Sequence, residues 1–136
     1  MVQIIAGNKG SGKTKKLIDL TNSTANTSNH SVVFLDKDNS YMYEIDRNVR
    51  FVNVNDYHIQ SAEMFQGFLA GMLASNYDIG TIFIDAFLKL IKKDIAEAGD
   101  FIKSLEELGK EHEVTFVLSV SADPEQLPEF ARAYVI

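Results

Sequence analysis

The chain has 136 residues, of which 46% are hydrophobic and 24% are charged, a composition typical of one globular domain with its own core. Its net charge of −6 at pH 7 argues against a nucleic-acid-binding surface, for which a basic stripe is expected. The absence of cysteine excludes disulfides and thiolate zinc sites, so nothing points to an oxidising compartment.

The start of the chain shows no targeting segment. No basic region followed by a long apolar run precedes the first strand, so no signal peptide is expected. The longest apolar runs are also far shorter than a membrane span. We therefore expect a cytoplasmic protein that makes no membrane contact.

The first informative stretch follows the apolar run Val2–Ala6, which predicts a buried strand. Residues Gly7 to Thr14 read Gly-Asn-Lys-Gly-Ser-Gly-Lys-Thr and fit the phosphate-loop pattern G-x-x-x-x-G-K-[ST] at every fixed position. The glycines can adopt positive φ at little cost, so successive backbone N–H groups can surround one anion. Because a helix is predicted from Lys13 onward, the positive end of its dipole adds to the same site. The segment therefore predicts a site for polyphosphate.

Two side chains complete this predicted site. Lys13 would reach the β- and γ-phosphates, and the Thr14 hydroxyl would join the oxygen ligands of Mg²⁺. The rest of the loop would contribute mainly backbone N–H groups, from Gly7, Asn8, Lys9, Gly10, Ser11 and Gly12. The competing interpretation is a glycine-rich turn before an ordinary helix. A dinucleotide-binding loop is excluded, because no G-x-G-x-x-G is present.

Strand-like and helix-like segments alternate along the rest of the chain. Further strands are predicted at 31–36, 50–54, 81–85, 115–120 and 133–136, and helices at 13–20, 61–77, 95–109 and 124–130. The polar stretch 21–31 predicts a loop or a frayed helix end. This order predicts the α/β class: a three-layer αβα sandwich with a mostly parallel sheet, formed by a single domain over residues 1–136.

The strand predicted at 81–85 ends in an acidic residue. Thr81-Ile82-Phe83-Ile84 is followed by Asp85, so this carboxylate is expected at the carboxyl edge of the sheet, next to the loop. There Asp85 would hold Mg²⁺ directly or through water, the role of a Walker-B aspartate. The competing interpretation is a strand-ending Asp that caps the next segment.

Taken together, Gly7–Thr14 and Ile82–Asp85 resemble the P-loop NTPase superfamily, and the resemblance extends over nearly the whole chain. It implies a P-loop NTPase fold that binds ATP or GTP with Mg²⁺, with Lys13 and Asp85 as catalytic residues. The chain looks like the RecA-like and thymidine-kinase-like branch, and like compact bacterial ATP-binding proteins. It lacks the D-x-x-G and N-K-x-D signatures of GTPases, which favours ATP.

The chain departs from that branch at one position. Members usually place a Glu directly after the metal aspartate as a base, whereas this chain has Ala86. Residues that could take over catalytic roles are Asp36, Asp38 or Glu44 as the base, Ser119 or Ser121 as a γ-phosphate sensor, and Arg47 or Arg132 as an arginine finger. Each of them could equally be an ordinary surface group, as could the lysines between 89 and 93.

Three functions remain open at this point. The leading hypothesis is an ATP- and Mg²⁺-binding P-loop protein with weak or partner-dependent ATPase activity, acting with a protein partner or a second copy. One alternative is a small nucleoside-kinase-like phosphotransferase, in which residues 41–46 and the loop after Ser121 hold the acceptor. The other is a non-catalytic regulator whose oligomeric state changes when nucleotide binds.

Overall fold

The computed structural model describes all 136 residues, and its centre is a sheet of five parallel strands. The strands are β1 (Val2–Gly7), β2 (Ser31–Asp36), β3 (Val49–Asn53), β4 (Ile79–Ile84) and β5 (Thr115–Ser121). Their order across the sheet is β1-β5-β4-β2-β3, and every pairing is parallel. The predicted α/β class and parallel sheet are therefore confirmed.

Five α-helices flank the sheet. They are α1 (Lys13–Thr27), α2 (Ala62–Ser75), α3 (Phe87–Ile91), α4 (Gly99–His112) and α5 (Glu129–Arg132). Short 3₁₀ helices lie at 42–44, 54–57, 95–97 and 124–126. None of the helices combines the length and the apolar character needed to cross a bilayer.

The helices pack on both faces of the sheet, because alternate strand residues point to opposite sides. Val33 of β2 belongs to the larger buried cluster, formed with α2, α3 and α4, whereas Phe34 belongs to the smaller cluster formed with α1. The connection from β1 to β2 crosses the sheet in one direction, and those from β3 to β4 and from β4 to β5 run back. Since crossovers are right-handed, this reversal places α1 on one face and the other helices on the opposite face.

The same reversal creates a switch point between the neighbouring strands β2 and β4. The chain leaves β2 on the α1 side, where Ile45 is buried in the smaller cluster, and leaves β4 on the other side, where Phe87 enters the larger one. A crevice therefore opens at the carboxyl ends of these two strands, which is where ligands of open α/β sheets bind. Asp36 ends β2, and Asp85 directly follows β4.

The helix α1 is longer than the sequence pattern predicts, since it continues through the polar stretch to Thr27. The buried Thr21 hydroxyl donates to the Leu17 carbonyl at 2.7 Å. The Asn22 side chain donates to the Glu44 carbonyl at 2.9 Å and accepts from the Asp46 N–H at 2.8 Å. Tertiary partners thus satisfy polar groups that in isolation favour a loop.

The end of α4 also differs from the prediction. Gly109 does not stop the helix, which continues to His112 and is followed by Glu113 in the left-handed region at φ 57°. Gly109 is buried, and a Cβ built on it would lie 2.5 Å from the Val114 carbonyl oxygen. This glycine is required by close packing and not by a helix stop.

Two C-terminal predictions are corrected as well. The helix predicted at 124–130 is two short pieces, because Pro128 separates the 3₁₀ helix from α5. The strand predicted at 133–136 is reduced to one parallel bridge, in which the Ile4 N–H donates to the Tyr134 carbonyl and the Ile136 N–H donates to the Ile4 carbonyl. The C-terminus thus covers part of the outer edge of β1.

We expect Gly109→Ala to destabilise the fold by about 1 to 3 kcal/mol, because backbone must move to admit the new methyl group. The matched control is Gly71→Ala in α2, where a Cβ meets nothing within 4 Å. That change is expected to stabilise by roughly 0.5 to 1 kcal/mol through helix propensity. Urea unfolding of both variants measures the effects, and an equal gain in both would contradict the packing argument.

Candidate functional site

A cavity of about 660 Å³ opens at the carboxyl edge of the sheet. Six of the residues that the sequence assigned to the site line this cavity: Lys9, Gly10, Gly12, Lys13, Thr14 and Asp85. Gly7, Asn8 and Ser11 do not line it. The fold therefore brings the loop and the acidic end of β4 to one cavity, although they are far apart in the chain.

The loop from Gly7 to Thr14 has a backbone that depends on glycine. Gly10 and Gly12 have φ values of 84° and 86°, a region that other residues rarely adopt. The Ser11 N–H donates to the Asn8 carbonyl at 3.0 Å, and the Lys16 N–H donates to the Gly12 carbonyl at 3.1 Å. The N–H groups of Gly10, Gly12, Lys13 and Thr14 have no acceptor in the protein. Free donors at the start of a helix are suited to binding an anion.

Gly7 is required for a different reason, because the loop folds back over the end of β1. A Cβ on Gly7 would collide with the Ser11 hydroxyl oxygen and would lie 3.9 Å from Cδ of Lys13. The Lys13 side chain therefore runs back across the start of the loop. Lys13 lines the same cavity as the glycines of the loop, so its positive charge can contribute to the binding of an anion there.

Asp85 is fixed by two hydroxyl groups from other parts of the chain. The Thr14 hydroxyl lies 3.2 Å from Oδ2 and 3.3 Å from Oδ1 of Asp85, and the Ser119 hydroxyl also donates to Oδ1. The carboxylate is 5% exposed, and its backbone N–H continues the sheet ladder to the Leu35 carbonyl at 2.9 Å. No N–H of α3 donates to it, so the interpretation of Asp85 as a helix cap is wrong.

Ser119 connects the two sides of the Asp85 segment. It lies on β5, between the loop strand β1 and the acidic strand β4. Its hydroxyl donates to Asp85 and accepts from the Ala86 N–H at 2.9 Å. Ala86 adopts the left-handed conformation, with φ 51°. This hydrogen-bonded serine thus holds the turn that follows β4, while Ser121, also in the cavity, is exposed.

Asp36 is a second buried carboxylate in the same cavity. It is 1% exposed, its Oδ1 accepts from the Lys37 N–H at 2.7 Å, and its Oδ2 has no partner in the protein. Burial is the main cause that raises the pKa of Asp36 to about 7, and the nearby charges of Asp85 and Asp38 act in the same direction. Asp36 is thus a buried carboxylate with one oxygen that has no hydrogen-bond partner.

The other acidic candidates differ from Asp36. Asp38 pairs with the Lys37 ammonium at 2.8 Å, and this hydrogen bond is the main cause that lowers the pKa of Asp38 to about 2. Such a weak base is unsuited to accepting a proton near neutral pH. Glu44 lines the cavity from the exposed side. Asp36 is therefore the buried member of the three.

Neither candidate arginine lines the cavity. The Arg132 guanidinium donates to the Leu127 carbonyl at 2.9 Å and to the Glu125 carbonyl at 3.5 Å, so it holds its own C-terminal segment. Arg47 lies in a separate shallow pocket beside Asn22. An arginine finger for this cavity would have to come from another molecule.

The cavity is also lined by residues to which the sequence assigned no role: Lys15, Ile18, Lys37 and Lys89. Lys37 and Lys89 follow the carboxyl ends of β2 and β4, and that position is the signal that could have identified them. Tyr41 also lines the cavity, and it belongs to the segment 41–46 that the nucleoside-kinase-like alternative assigned to the acceptor.

The donor set of this cavity fits a magnesium ion held together with a phosphate ligand. No group of three or more His, Asp or Glu side chains is placed to hold a metal by itself. The available protein ligands are the Thr14 hydroxyl and the Asp85 carboxylate, with the unpartnered Oδ2 of Asp36 in the same cavity. All are hard oxygen ligands, and Mg²⁺ is usually bound by one or two carboxylates together with water and substrate phosphates.

Comparison of the sequence with protein-family models and with curated proteins found no match. Function is therefore inferred from the geometry of the site.

Proposed function

We propose that this chain is an ATP- and Mg²⁺-binding protein of the P-loop NTPase superfamily, with weak or partner-dependent ATPase activity. The observation that carries the proposal is the contact between Thr14 and Asp85. These residues are 71 positions apart, yet the hydroxyl lies 3.2 Å from the carboxylate. The two motifs that the sequence assigned to phosphate and metal binding thus converge at one point, next to free backbone N–H groups.

The loop supplies the affinity for the triphosphate. Free N–H groups of Gly12, Lys13 and Thr14, the start of α1 and the Lys13 ammonium all favour a multiply charged anion. Lys9 and Lys15 line the same cavity and extend the positive charge. The whole chain has a net charge of −6, so the cavity is positive whereas the rest of the surface is negative.

Thr14 and Asp85 would hold Mg²⁺, which when bound neutralises phosphate charge and orients the phosphates. Ser119 keeps the Asp85 carboxylate in position through its hydrogen bond. The hydroxyl and the carboxylate therefore form a prepared pair of ligands, and the nucleotide completes the coordination shell.

Asp36 is the group of this chain best placed to orient an attacking water. The position after Asp85 is occupied by Ala86, which cannot act as a base. Asp36 lies on β2, the neighbour of β4, with a buried and unpartnered Oδ2. A carboxylate with a pKa of about 7 is near the optimum for general-base catalysis at neutral pH. With no arginine in the cavity, hydrolysis stays slow until a partner or a second copy provides one.

A second candidate function is phosphoryl transfer to a nucleoside or a similar hydroxyl. The observation that favours it is that Tyr41, Glu44 and Ser121 line the same cavity as the loop. An acceptor held by these side chains would exclude water from the γ-phosphate. In that case labelled phosphate from ATP appears on the nucleoside instead of as inorganic phosphate.

Asp85→Asn tests the proposal. Wild-type protein is expected to bind a non-hydrolysable ATP analogue more tightly with Mg²⁺ than without it. The variant keeps the shape of the side chain but loses its charge, so we expect this Mg²⁺ enhancement to fall by about tenfold or more, since hydrogen bonds and contacts to a charged group contribute about 1.5 to 3 kcal/mol. Calorimetric titration measures it.

The matched control is Asp100→Asn, which removes one exposed carboxylate at the start of α4. Its Mg²⁺ enhancement should equal that of the wild type. If the wild-type protein showed no saturable binding of the analogue with Mg²⁺ present, the proposed function would be wrong.

A further inference from the structure

The cavity of about 660 Å³ that contains the loop and Asp85 is called the nucleotide cavity here. A second cavity adjoins it on the side of β4 and β5. It has a volume of about 390 Å³ and shares three lining residues with the first cavity: Ala86, Lys89 and Ser121. The remainder of its wall comes from the segment between α3 and the 3₁₀ helix at 95–97. We call it the lysine cavity, because Lys89, Lys92 and Lys93 line it.

The local fold directs these lysines to the solvent side. Phe87, Leu90 and Ile91 of α3 are buried in the larger core cluster, so the intervening and following lysines remain exposed. Lys92 ends the helix in the left-handed conformation, at φ 57°. The short helix therefore packs its apolar face against the core and presents three cationic side chains to one concavity.

None of these three lysines forms an ion pair. The ion pairs of lysine in this protein are Lys15 with Asp19 and Lys37 with Asp38. Asp94 and Glu97 line the lysine cavity, yet neither lies within ion-pair distance of the three ammonium groups. The lysines thus keep their hydrogen-bond donors available, while the two carboxylates keep their acceptors available.

Much of the positive charge of the chain lies at the carboxyl edge of the sheet. Seven of its thirteen Lys and Arg residues line one of the two adjoining cavities, although the chain carries a net charge of −6. An anion is therefore attracted to this edge and repelled by the remainder of the surface. The lysine cavity is small, and its two carboxylates oppose an extended polyanion such as nucleic acid.

We propose that the lysine cavity binds a small phosphorylated compound that also carries hydroxyl or amino groups. Its phosphate contacts Lys89, Lys92 and Lys93, and its donors contact Asp94 and Glu97. Since Lys89 and Ser121 border both cavities, this ligand lies next to the nucleotide cavity as a co-substrate or a regulator. The inference goes beyond nucleotide binding and does not require it.

The test uses ribose 5-phosphate and inorganic phosphate as probes, with ribose as the unphosphorylated control. Binding is followed by NMR of the backbone amide signals of residues 89–93, in a Lys13→Ala background that weakens phosphate binding at the loop. We expect both phosphate probes to shift these signals, with ribose 5-phosphate binding more tightly, and ribose to leave them unchanged. Because phosphate binding at the loop is already weakened, a failure here is separate from a failure of nucleotide binding.

A double variant, Lys92→Ala/Lys93→Ala, identifies the residues that bind the probe. We expect it to weaken ribose 5-phosphate binding by about tenfold or more, since two charge-assisted contacts are lost. The matched control is Lys103→Ala/Lys110→Ala on the exposed face of α4, which removes the same charge and should leave binding unchanged.

Several results would overturn the proposal. They are the absence of any shift at residues 89–93 with either phosphate probe, equal binding of ribose, and an equal loss of binding in the control double variant. Tighter binding of a single-stranded oligonucleotide than of ribose 5-phosphate would assign the lysines to nucleic acid instead.

Discussion

Asp36→Asn is expected to gain stability relative to the wild type as the pH rises from 5 to 8. The folded protein holds the proton of Asp36 more tightly than the unfolded chain does, because burial raises its pKa from 3.8 to about 7. Ionisation of this group therefore destabilises the fold progressively from about pH 4, and the full penalty is present above pH 7. Asparagine cannot ionise and avoids this penalty.

The size of the effect follows from the pKa. We expect the difference in free energy of unfolding between the variant and the wild type to grow by about 2 to 3 kcal/mol between pH 5 and pH 8. Asparagine can still accept from the Lys37 N–H, and the cost of burying its amide is the same at both pH values. Urea unfolding without nucleotide or Mg²⁺ at the two pH values measures the change.

Asp38→Asn is the matched control, because its pKa is shifted in the opposite direction. The ion pair with Lys37 lowers the pKa of Asp38 to about 2, so ionised Asp38 stabilises the fold above about pH 4, and this contribution is lost as the pH falls toward 2. Its removal should cause a small loss of stability at pH 8, since the pair is partly exposed. If the difference in free energy of unfolding between Asp36→Asn and the wild type did not change with pH, the pKa of Asp36 would not be raised by burial.

Lys13→Ala is expected to weaken the binding of the ATP analogue with Mg²⁺ by roughly 10- to 100-fold. Lys13 lines the cavity next to the loop, and a charge-assisted contact to phosphate contributes about 1.5 to 3 kcal/mol. Truncation also leaves the loop backbone unchanged, because Gly10 and Gly12 determine its conformation. Calorimetric titration at constant salt measures the loss.

Lys16→Ala controls for the change in net charge. Lys16 is exposed on the same helix but does not line the cavity, so its loss should affect affinity only through weak, salt-screened attraction. If Lys13→Ala and the wild type bound the ATP analogue with similar affinity, Lys13 would not contribute to its binding. Equal losses in the two variants would point to general electrostatic attraction in place of a specific contact.

The sequence predicted the positions of strands and helices best where they depend on residues close together in the chain. The alternation of apolar runs and amphipathic segments predicted the five strands of the sheet and most helices. The helix predicted from residue 61 is α2, and the Ser61 hydroxyl caps it by accepting from the Met64 N–H at 3.1 Å. Boundaries were less accurate where tertiary contacts decide them. Asn22 extends α1 because its partners come from residues 44 and 46, and Gly109 lies inside α4 because Val114 packs against it.

The candidate site shows the same division. The sequence predicts a phosphate loop at Gly7–Thr14 because that pattern consists of glycine, lysine and a hydroxyl at fixed spacing along one continuous segment. The choice among Asp36, Asp38 and Glu44 was open, because burial and neighbouring charges depend on which strands lie side by side. The lysine cavity likewise could not be predicted from the sequence, because its wall combines the segment after β4 with the end of β5.

By itself, the sequence determined the α/β class and carries the phosphate-loop pattern from which we predict the site, because both follow from residues close together in the chain. The tertiary structure alone decided the strand order β1-β5-β4-β2-β3, which places Ser119 between the loop and Asp85 and places Asp36 beside Asp85. It also decided that Asp85 contacts Thr14 and does not cap α3. The physical reason is that hydrogen bonds, burial and pKa depend on neighbours in space, and crossover connections bring together residues that are distant in the chain.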